Sequence, residues 1–195
     1  MNVTSSPDAP PAGAAWLRDG RRVAIRELQA DDEPALAAFL AGLGPRARQL
    51  RFFSGAVDIG RMTHALAAES PRRIGLVALD PDGCLIGHGL AIELGAGRAE
   101  VAIEVADGLH GEGLGTILIE QLAEQAERHG IDTFVAEVLP ENGQMLDVFR
   151  DGFDARARCS DGVDTVEFPT AAWRIARERF GEMFVAPPTS SSVDT

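Results

Sequence analysis

The chain has 195 residues, of which 45% are hydrophobic and 25% charged, as expected for one soluble domain with a complete core. Thirty acidic residues against eighteen basic ones give a formal charge of −12, which argues against general binding to nucleic acid or to an anionic membrane and mildly favours cationic partners. No run of about 18 apolar residues is present, and residues 1–13 lack the basic start and apolar stretch of a signal peptide, so we expect a cytoplasmic protein.

The first half of the chain begins with a tail, residues 1–15, that is rich in Pro, Ala and Ser and is predicted to be disordered. The first predicted helix follows Asp31-Asp32-Glu33-Pro34, an acidic cap with an early proline, and a hairpin turns at Pro81-Asp82-Gly83. In chain order the predicted elements are a strand at 23–28, helices at 35–43, at 46–52 and from Ile59, and hairpin strands at 74–79 and 85–94.

The second half predicts a strand at 99–106, a long helix at 114–128 and a strand at 133–138. A strand, a crossover helix and a strand in this order imply parallel pairing. A last hairpin is predicted at 155–159 and 163–168. We therefore expect an α/β (α+β) fold, with a mixed, mostly antiparallel sheet of six or seven strands and helices on both faces.

An amphipathic helix is predicted at residues 171–186, after a main domain at 16–170 and before a Pro/Ser/Thr-rich tail at 187–195. We expect this helix to dock on the core of its own domain, and a dimer or partner surface is the alternative. Its apolar residues lie roughly on one side: Trp173, Ala176, Phe180, Met183 and Phe184.

The cysteines and histidines show no metal-binding or nucleophile pattern, so we expect no metal. Cys84 and Cys159 lie in apparent strands and are expected to be buried thiols. No Gly-x-Ser-x-Gly elbow is present, which favours direct transfer chemistry over a covalent enzyme intermediate. The four histidines, expected to be structural or on the surface, are His64, His88, His110 and His129.

A glycine-rich turn, His110-Gly111-Glu112-Gly113-Leu114-Gly115-Thr116, lies between the strand at 99–106 and the long helix. Such a turn leaves backbone N–H groups pointing outward at the positive end of the helix dipole, where a phosphate binds well. A Walker loop would need a lysine, and a dinucleotide fingerprint counted from Gly111 would need glycine in place of Thr116. We expect an anionic ligand here, although neither nucleotide motif is present.

The turn resembles the Gln/Arg-x-x-Gly-x-Gly/Ala pyrophosphate loop of the GNAT acyltransferase superfamily, with His110, Gly113 and Gly115 in the three marked places. Downstream, Pro140-Glu141-Asn142 opens a helical stretch that ends at Gly152-Phe153, similar to the Asn…Gly-Phe segment of that superfamily.

Upstream, Arg48-Gln49-Leu50-Arg51-Phe52-Phe53 and Val23-Ala24-Ile25-Arg26 look like the GNAT domains of bacterial protein lysine acetyltransferases. The resemblance spans residues 20–168. It implies acetyl-CoA as the acyl donor and a protein lysine or a small amine as the acceptor.

The resemblance also implies roles for individual residues. Glu100 is the general base, the backbone of Ile103 and Val105 pairs with the pantetheine arm, and Asn142 meets the pantetheine or the departing thiol. The residues implied to hold the pyrophosphate are His110, Gly111, Glu112, Gly113, Leu114, Gly115 and Thr116.

The chemistry of acyl transfer requires such a base, because an ammonium has no lone pair and a free lysine is only about 0.04% neutral at pH 7. Strand alternation places Glu100 and Glu104 on one face, where burial of a carboxylate would raise its pKa toward that of a useful base. Glu104 and Glu137 are lesser candidates.

The chain departs from the family pattern at four points. His110 replaces the usual Gln or Arg, and Glu112 places an acid near a pyrophosphate, at a cost of about 1 kcal/mol or less if exposed. The chain has no tyrosine to act as general acid, and Phe149 lies near that place. The helical stretch after Asn142 is one residue short.

Three functions remain open at this point: acetylation of protein lysines, acetylation of a small amine such as a polyamine or an aminoglycoside, and non-catalytic sensing of acyl-CoA. The residues predict no oligomeric state.

Overall fold

The computed structural model describes residues 13–52, 58–68 and 70–180. Within these ranges lie eight strands: β1 (Ala14–Trp16), β2 (Arg22–Glu27), β3 (Arg73–Leu79), β4 (Leu85–Gly95), β5 (Arg98–Val105), β6 (Thr133–Val138), β7 (Arg156–Ser160) and β8 (Val163–Pro169). The same ranges contain six α-helices: α1 (Glu33–Gly42), α2 (Pro45–Phe52), α3 (Ile59–Ala67), α4 (Leu114–Arg128), α5 (Gly143–Asp147) and α6 (Trp173–Phe180).

The eight strands form one sheet in the order β1-β2-β3-β4-β5-β6-β8-β7. Every neighbouring pair is antiparallel except β5 and β6, which are parallel and are joined through α4. The predicted mixed, mostly antiparallel sheet is therefore confirmed, as is the crossover helix that makes one pair parallel.

The sheet has one strand more than the six or seven expected. β1 pairs antiparallel with β2 and begins at Ala14, inside the segment 1–15 that was predicted to be a tail. A strand of three residues is too short to show apolar periodicity. The available signal was the dipeptide Asp19-Gly20, which often turns a hairpin; Gly20 has a φ of +83°, a value that favours glycine.

Helix α4 packs closely on one face of the sheet because β4 carries glycines there. A Cβ at Gly87 would lie 3.1 Å from the Leu114 side chain, and one at Gly89 would lie 3.0 Å from Leu122. His88, between the two glycines, points to the opposite face by strand alternation. Helices α1 and α2 cover that face around a second apolar cluster that contains Leu36, Leu40 and Leu43. Helices therefore lie on both faces, as expected.

The C-terminal helix α6 packs on α4. Ala176 is fully buried, the indole Nε1 of Trp173 donates to Glu127 Oε2 at 2.8 Å, and the Arg177 guanidinium lies 4.4 Å from the centre of the Trp173 ring. The predicted apolar side is thus directed at the domain's own core over this length. Met183 and Phe184, the side chain of Phe180 and the predicted tail 187–195 lie outside the described residues.

The expectation of buried cysteines is wrong, because both thiols are exposed. Cys84 lies in the turn before β4. Cys159 lies on β7, an edge strand whose five residues are all exposed. An edge strand has only one neighbour to cover it, and a short apolar pattern does not distinguish it from a central strand.

Over the described part of the chain, no helix has both the length and the apolar composition needed to cross a membrane. Nor do three or more His, Cys, Asp or Glu side chains of that part converge as metal ligands would.

Candidate active site

The sheet opens into a cleft where β5 and β6 separate. Their parallel ladder consists of three residue pairs and ends where Glu100 pairs with Val135. Beyond this point residues 101–105 of β5 and residues 136–138 of β6 line opposite sides of the cleft. The cleft is closed on one side by Leu43, Ala47 and Leu50, which lie at the end of α1 and on α2.

The N-terminus of α4 forms the far end of the cleft. Its N-cap residue is Gly113, with a φ of +90°, so this position has no side chain that could accept from the N–H groups of the first turn. Gly111 also has a positive φ, and a Cβ at Gly111 or Gly115 would meet no atom within 4 Å. The turn therefore presents open space in front of the backbone amides of a helix start, which suits an anion.

All predicted site residues line this cleft except Glu112. Its backbone carbonyl instead accepts a hydrogen bond from the N–H of Arg18 at 3.1 Å.

Arg18 is a cleft residue that the sequence analysis did not identify. It lies in the turn between β1 and β2, and its Nη1 donates to the carbonyl oxygen of Gly111 at 3.0 Å. The residue precedes every motif quoted from the sequence. Only recognition of the Asp19-Gly20 hairpin would have indicated that a basic residue folds back onto another part of the chain.

Glu104 is the buried carboxylate of β5, and it belongs to a charged cluster. Its Oε2 lies 2.7 Å from Nδ1 of His88, its neighbour on β4, and its Oε1 accepts from Nε of Arg51 on α2. Burial acts to raise the pKa of Glu104, but the charges of Arg51 and His88 outweigh it and lower the pKa from 4.5 to about 2. The expectation that burial would raise a carboxylate pKa on this face is therefore wrong for Glu104.

Glu100 and Glu137 are the exposed acids of the cleft. Glu100 lies at the fork where the two strands separate, and Glu137 lies on β6, on the opposite side. By strand alternation Glu100 and Glu104 lie on the same face of β5, with residue 102 between them on that face. The carboxylates of Glu100 and Glu137 thus border the space between the strands. The third carboxylate, that of Glu104, is buried and forms ion pairs with Arg51 and His88.

His110 and Asn142 already contact other parts of the cleft. His110 Nε2 lies 3.3 Å from the carbonyl oxygen of Val105, so the ring covers the end of β5. The side-chain oxygen of Asn142 accepts from the N–H of Met145 at 3.3 Å and caps α5. The implied contacts of these residues with a bound ligand stay predictions.

The helical stretch after Asn142 departs from regular α geometry. α5 passes directly into a π-helical turn at Val148–Gly152, so residue spacing along an ideal α-helix does not apply there. This is a physical reason for the irregular length inferred from the sequence. Phe149, near the place of the family tyrosine, is buried against Phe168 with ring centres 5.2 Å apart, and it lines the cleft without a hydroxyl group.

Comparison with known proteins identifies the class. A family model described as the acetyltransferase (GNAT) family matches residues 45–153. The GNAT domain of PAT from S. lividans is 31% identical, with 82% of this chain and 99% of that chain covered and a TM-score of 0.73. The protein is thus an N-acyltransferase. It belongs to the GNAT acetyltransferase family, which confirms the resemblance seen in the sequence.

Two further structures share the fold. Spermidine N-acetyltransferase from Vibrio cholerae, solved with CoA and spermine, is 16% identical over 78% of this chain and 98% of that chain, with a TM-score of 0.62. The cAMP-binding acyltransferase from Mycobacterium smegmatis is 21% identical over 80% of this chain, which spans 46% of that protein, with a TM-score of 0.57.

Proposed function

We propose that the protein is an acetyl-CoA-dependent N-acetyltransferase that modifies lysine side chains of proteins by direct transfer, with Glu100 as the general base. The observation that carries this proposal is a cleft that begins at Glu100 and ends at the glycine turn before α4. An elongated donor with an anionic end and a reactive end would lie along this cleft.

The donor is oriented by the start of α4 at one end of the cleft and by the exposed edge of β5 along its length. The N–H groups of residues 113–116 at the start of α4 favour the pyrophosphate, while the exposed edge of β5 offers backbone partners to the amides of pantetheine. From Val105 back to Glu100 an extended strand covers about 17 Å. The thioester therefore lies toward the fork, close to Glu100.

The acceptor must lose a proton before it attacks the thioester carbonyl. Glu100 is exposed at the fork and takes this proton, whereas Glu104 is a poor base because Arg51 and His88 hold its pKa near 2. Glu137 on the opposite strand adds a second negative charge, and the two acids attract a cationic amine.

The departing thiolate of CoA leaves without a tyrosine acid, because the chain contains none. A cysteine thiol has a pKa near 8.5, and by analogy the thiolate of CoA is a good leaving group that is protonated by water or by another group. The hydrophobic ring of Phe149 lines the cleft, near the place where many family members have a tyrosine.

A small cationic amine is the second candidate acceptor. The acids Glu100 and Glu137 border the cleft, and they would attract a polyamine as well as a lysine side chain. The protein substrate is preferred because the segment 48–53 and the opening 23–26 are similar to protein lysine acetyltransferase domains.

The experiment that tests the proposal compares acceptors with one donor. Acetyl-CoA is supplied with lysine-containing peptides and folded proteins, with free lysine, and with spermidine, while thiol release and transfer of an acetyl group are followed. We expect kcat/KM to be at least about tenfold higher for a protein or peptide lysine than for the free amines, since remote contacts contribute to transition-state binding. Faster turnover of spermidine would favour the second candidate, and absence of both binding and turnover would refute both.

Replacing Gly115 by Ala gives a direct test of the phosphate end. The new Cβ meets no protein atom within 4 Å, and alanine is a better helix former by about 1 kcal/mol, so the thermal midpoint is expected to stay the same or to rise. Affinity for acetyl-CoA should fall by about tenfold or more, because the methyl group occupies space in front of the first-turn amides.

The matched control is Gly60→Ala. Gly60 is the second residue of α3, as Gly115 is of α4, and a Cβ there would meet only Asp58 Oδ1 at 3.7 Å. Gly60 does not line the cleft, so its substitution should leave affinity unchanged. Calorimetric titration of both variants with acetyl-CoA decides the matter. Equal affinity of Gly115→Ala and the wild type would argue against phosphate binding at this turn.

A further inference from the structure

The turn between β1 and β2 lies against the glycine turn that precedes α4. Two hydrogen bonds join them: the backbone N–H of Arg18 donates to the carbonyl of Glu112 at 3.1 Å, and the Arg18 side chain donates to the carbonyl of Gly111 at 3.0 Å. Gly111 and Glu112 lie 93 and 94 positions after Arg18 in the chain. The hairpin therefore brings a guanidinium to the end of the cleft where the amides of α4 point outward.

The glycine turn has little positive charge of its own. Residues 107–116 contain Asp107 and Glu112 but no Lys or Arg, and His110 stands where the family has Gln or Arg. Among the described residues that line the cleft, the arginines are Arg18 and Arg51. Arg51, on α2, forms an ion pair with the buried Glu104. The arginine that lines the phosphate end of the cleft is therefore Arg18.

The orientation of Arg18 follows from its bond to Gly111. A guanidinium is planar and presents five N–H donors in a rigid fork, so one bond to a fixed carbonyl restricts the direction of the whole group. The side chain lines the cleft while it makes this bond. This bond also offsets part of the negative partial charge of the Gly111 carbonyl oxygen.

On the basis of the proposed function, we propose that Arg18 binds the pyrophosphate of the CoA donor together with the amide groups of residues 113–116. The hairpin supplies from outside the motif the positive charge that the glycine turn lacks. Arg18 lies before residues 45–153, the part of the chain that the family model matches, so the family match by itself does not indicate this contact.

The test uses three ligands with successively fewer groups: CoA, dephospho-CoA, which lacks the 3′-phosphate, and pantetheine, which lacks the pyrophosphate and the adenosine attached to it. Each is titrated calorimetrically into the full chain and into Arg18→Ala. We expect the variant to bind CoA and dephospho-CoA about tenfold or more weakly, by the same factor, and to bind pantetheine like the wild type. Affinity of the variant for CoA should also depend less on salt.

Arg22→Ala is the matched control. It removes the same charge from the same hairpin, but Arg22 is exposed on β2 and does not line the cleft, so all three affinities should be unchanged. Arg18→Lys keeps the charge and loses the fork, and it should bind CoA with intermediate affinity. Thermal melting checks that each variant is folded.

Three results would overturn the inference while leaving the proposed function intact, provided that the wild type binds CoA. These are unchanged affinities in Arg18→Ala, a loss for CoA alone, which would assign Arg18 to the 3′-phosphate, and an equal loss for pantetheine, which would make Arg18 a structural support of the turn. If the wild type binds none of the ligands, the proposed function fails and this inference fails with it.

Discussion

Replacing Glu100 by Gln is expected to lower kcat for acetylation of a protein lysine by roughly 100- to 10,000-fold, the usual contribution of a general base. Glu100 lies at the last pair of the β5–β6 ladder and borders the cleft, whereas Gln keeps its shape but accepts no proton at neutral pH. Affinity for acetyl-CoA should change little, because the donor's phosphates lie at the other end. Steady-state kinetics and calorimetric titration of the same samples separate the two effects.

Glu137→Gln is the control for this substitution. It removes the same charge from the opposite side of the cleft, so it should raise KM for a cationic acceptor while kcat stays within about tenfold of the wild type. Acetylation by Glu100→Gln at the wild-type rate from pH 6 to 9 would show that Glu100 is not the base.

Replacing Arg51 by Ala should reduce the free energy of unfolding by about 3–5 kcal/mol, because it leaves the Glu104 carboxylate buried without its main ionic partner. Glu104 is only 5% exposed, and burial alone would raise its pKa, so the ionised form depends on Arg51 and His88. Denaturation by urea measures the loss. Arg46→Ala removes an exposed arginine from the same helix and should cost little.

The double variant Arg51→Ala, Glu104→Gln isolates the cause. In the Glu104→Gln background, which lacks the buried charge, Arg51→Ala should reduce the free energy of unfolding by less than half as much as it does in the wild type. The remaining reduction comes from lost packing and hydrogen bonding. If the double variant is as unstable as the sum of its single changes, the two side chains do not stabilise each other and the cluster is not an ion pair in energetic terms.

Acid unfolding tests the same cluster. The pKa of Glu104 is lowered in the folded chain, from 4.5 to about 2, so the unfolded state takes up a proton first as the pH falls. The stabilisation is complete above pH 4.5 and is lost progressively as the pH falls toward 2. Glu104→Gln should therefore show a shallower loss of stability across this window than the wild type.

The order of the elements follows from local information. Helix α4 and the turn before it depend on bonds between residues three or four positions apart and on the backbone freedom of Gly113, so their spacing in the chain is sufficient to predict them. The parallel pairing of β5 with β6 follows from the length of the crossover. For the same reason the sequence indicates where an anion would bind.

The pKa and the exposure of a side chain depend on which distant residues contact it. Local patterns in the sequence do not show these contacts. Glu104 and Glu100 have the same alternation, yet only Glu104 meets Arg51, 53 positions away, and so has a lowered pKa. Cys159 lies in a strand as expected, but the strand is at the edge of the sheet and the thiol is exposed.

The sequence by itself determined the family, the strands and helices of residues 23–168, and the acids and glycines of the cleft, because these depend on short-range spacing. The tertiary structure decided that Glu100 is exposed at the fork, that Glu104 is buried and ion-paired, and that Arg18 reaches the glycine turn. The physical reason is that electrostatic energies depend on distance through space and on burial, and both are set only when the sheet has assembled.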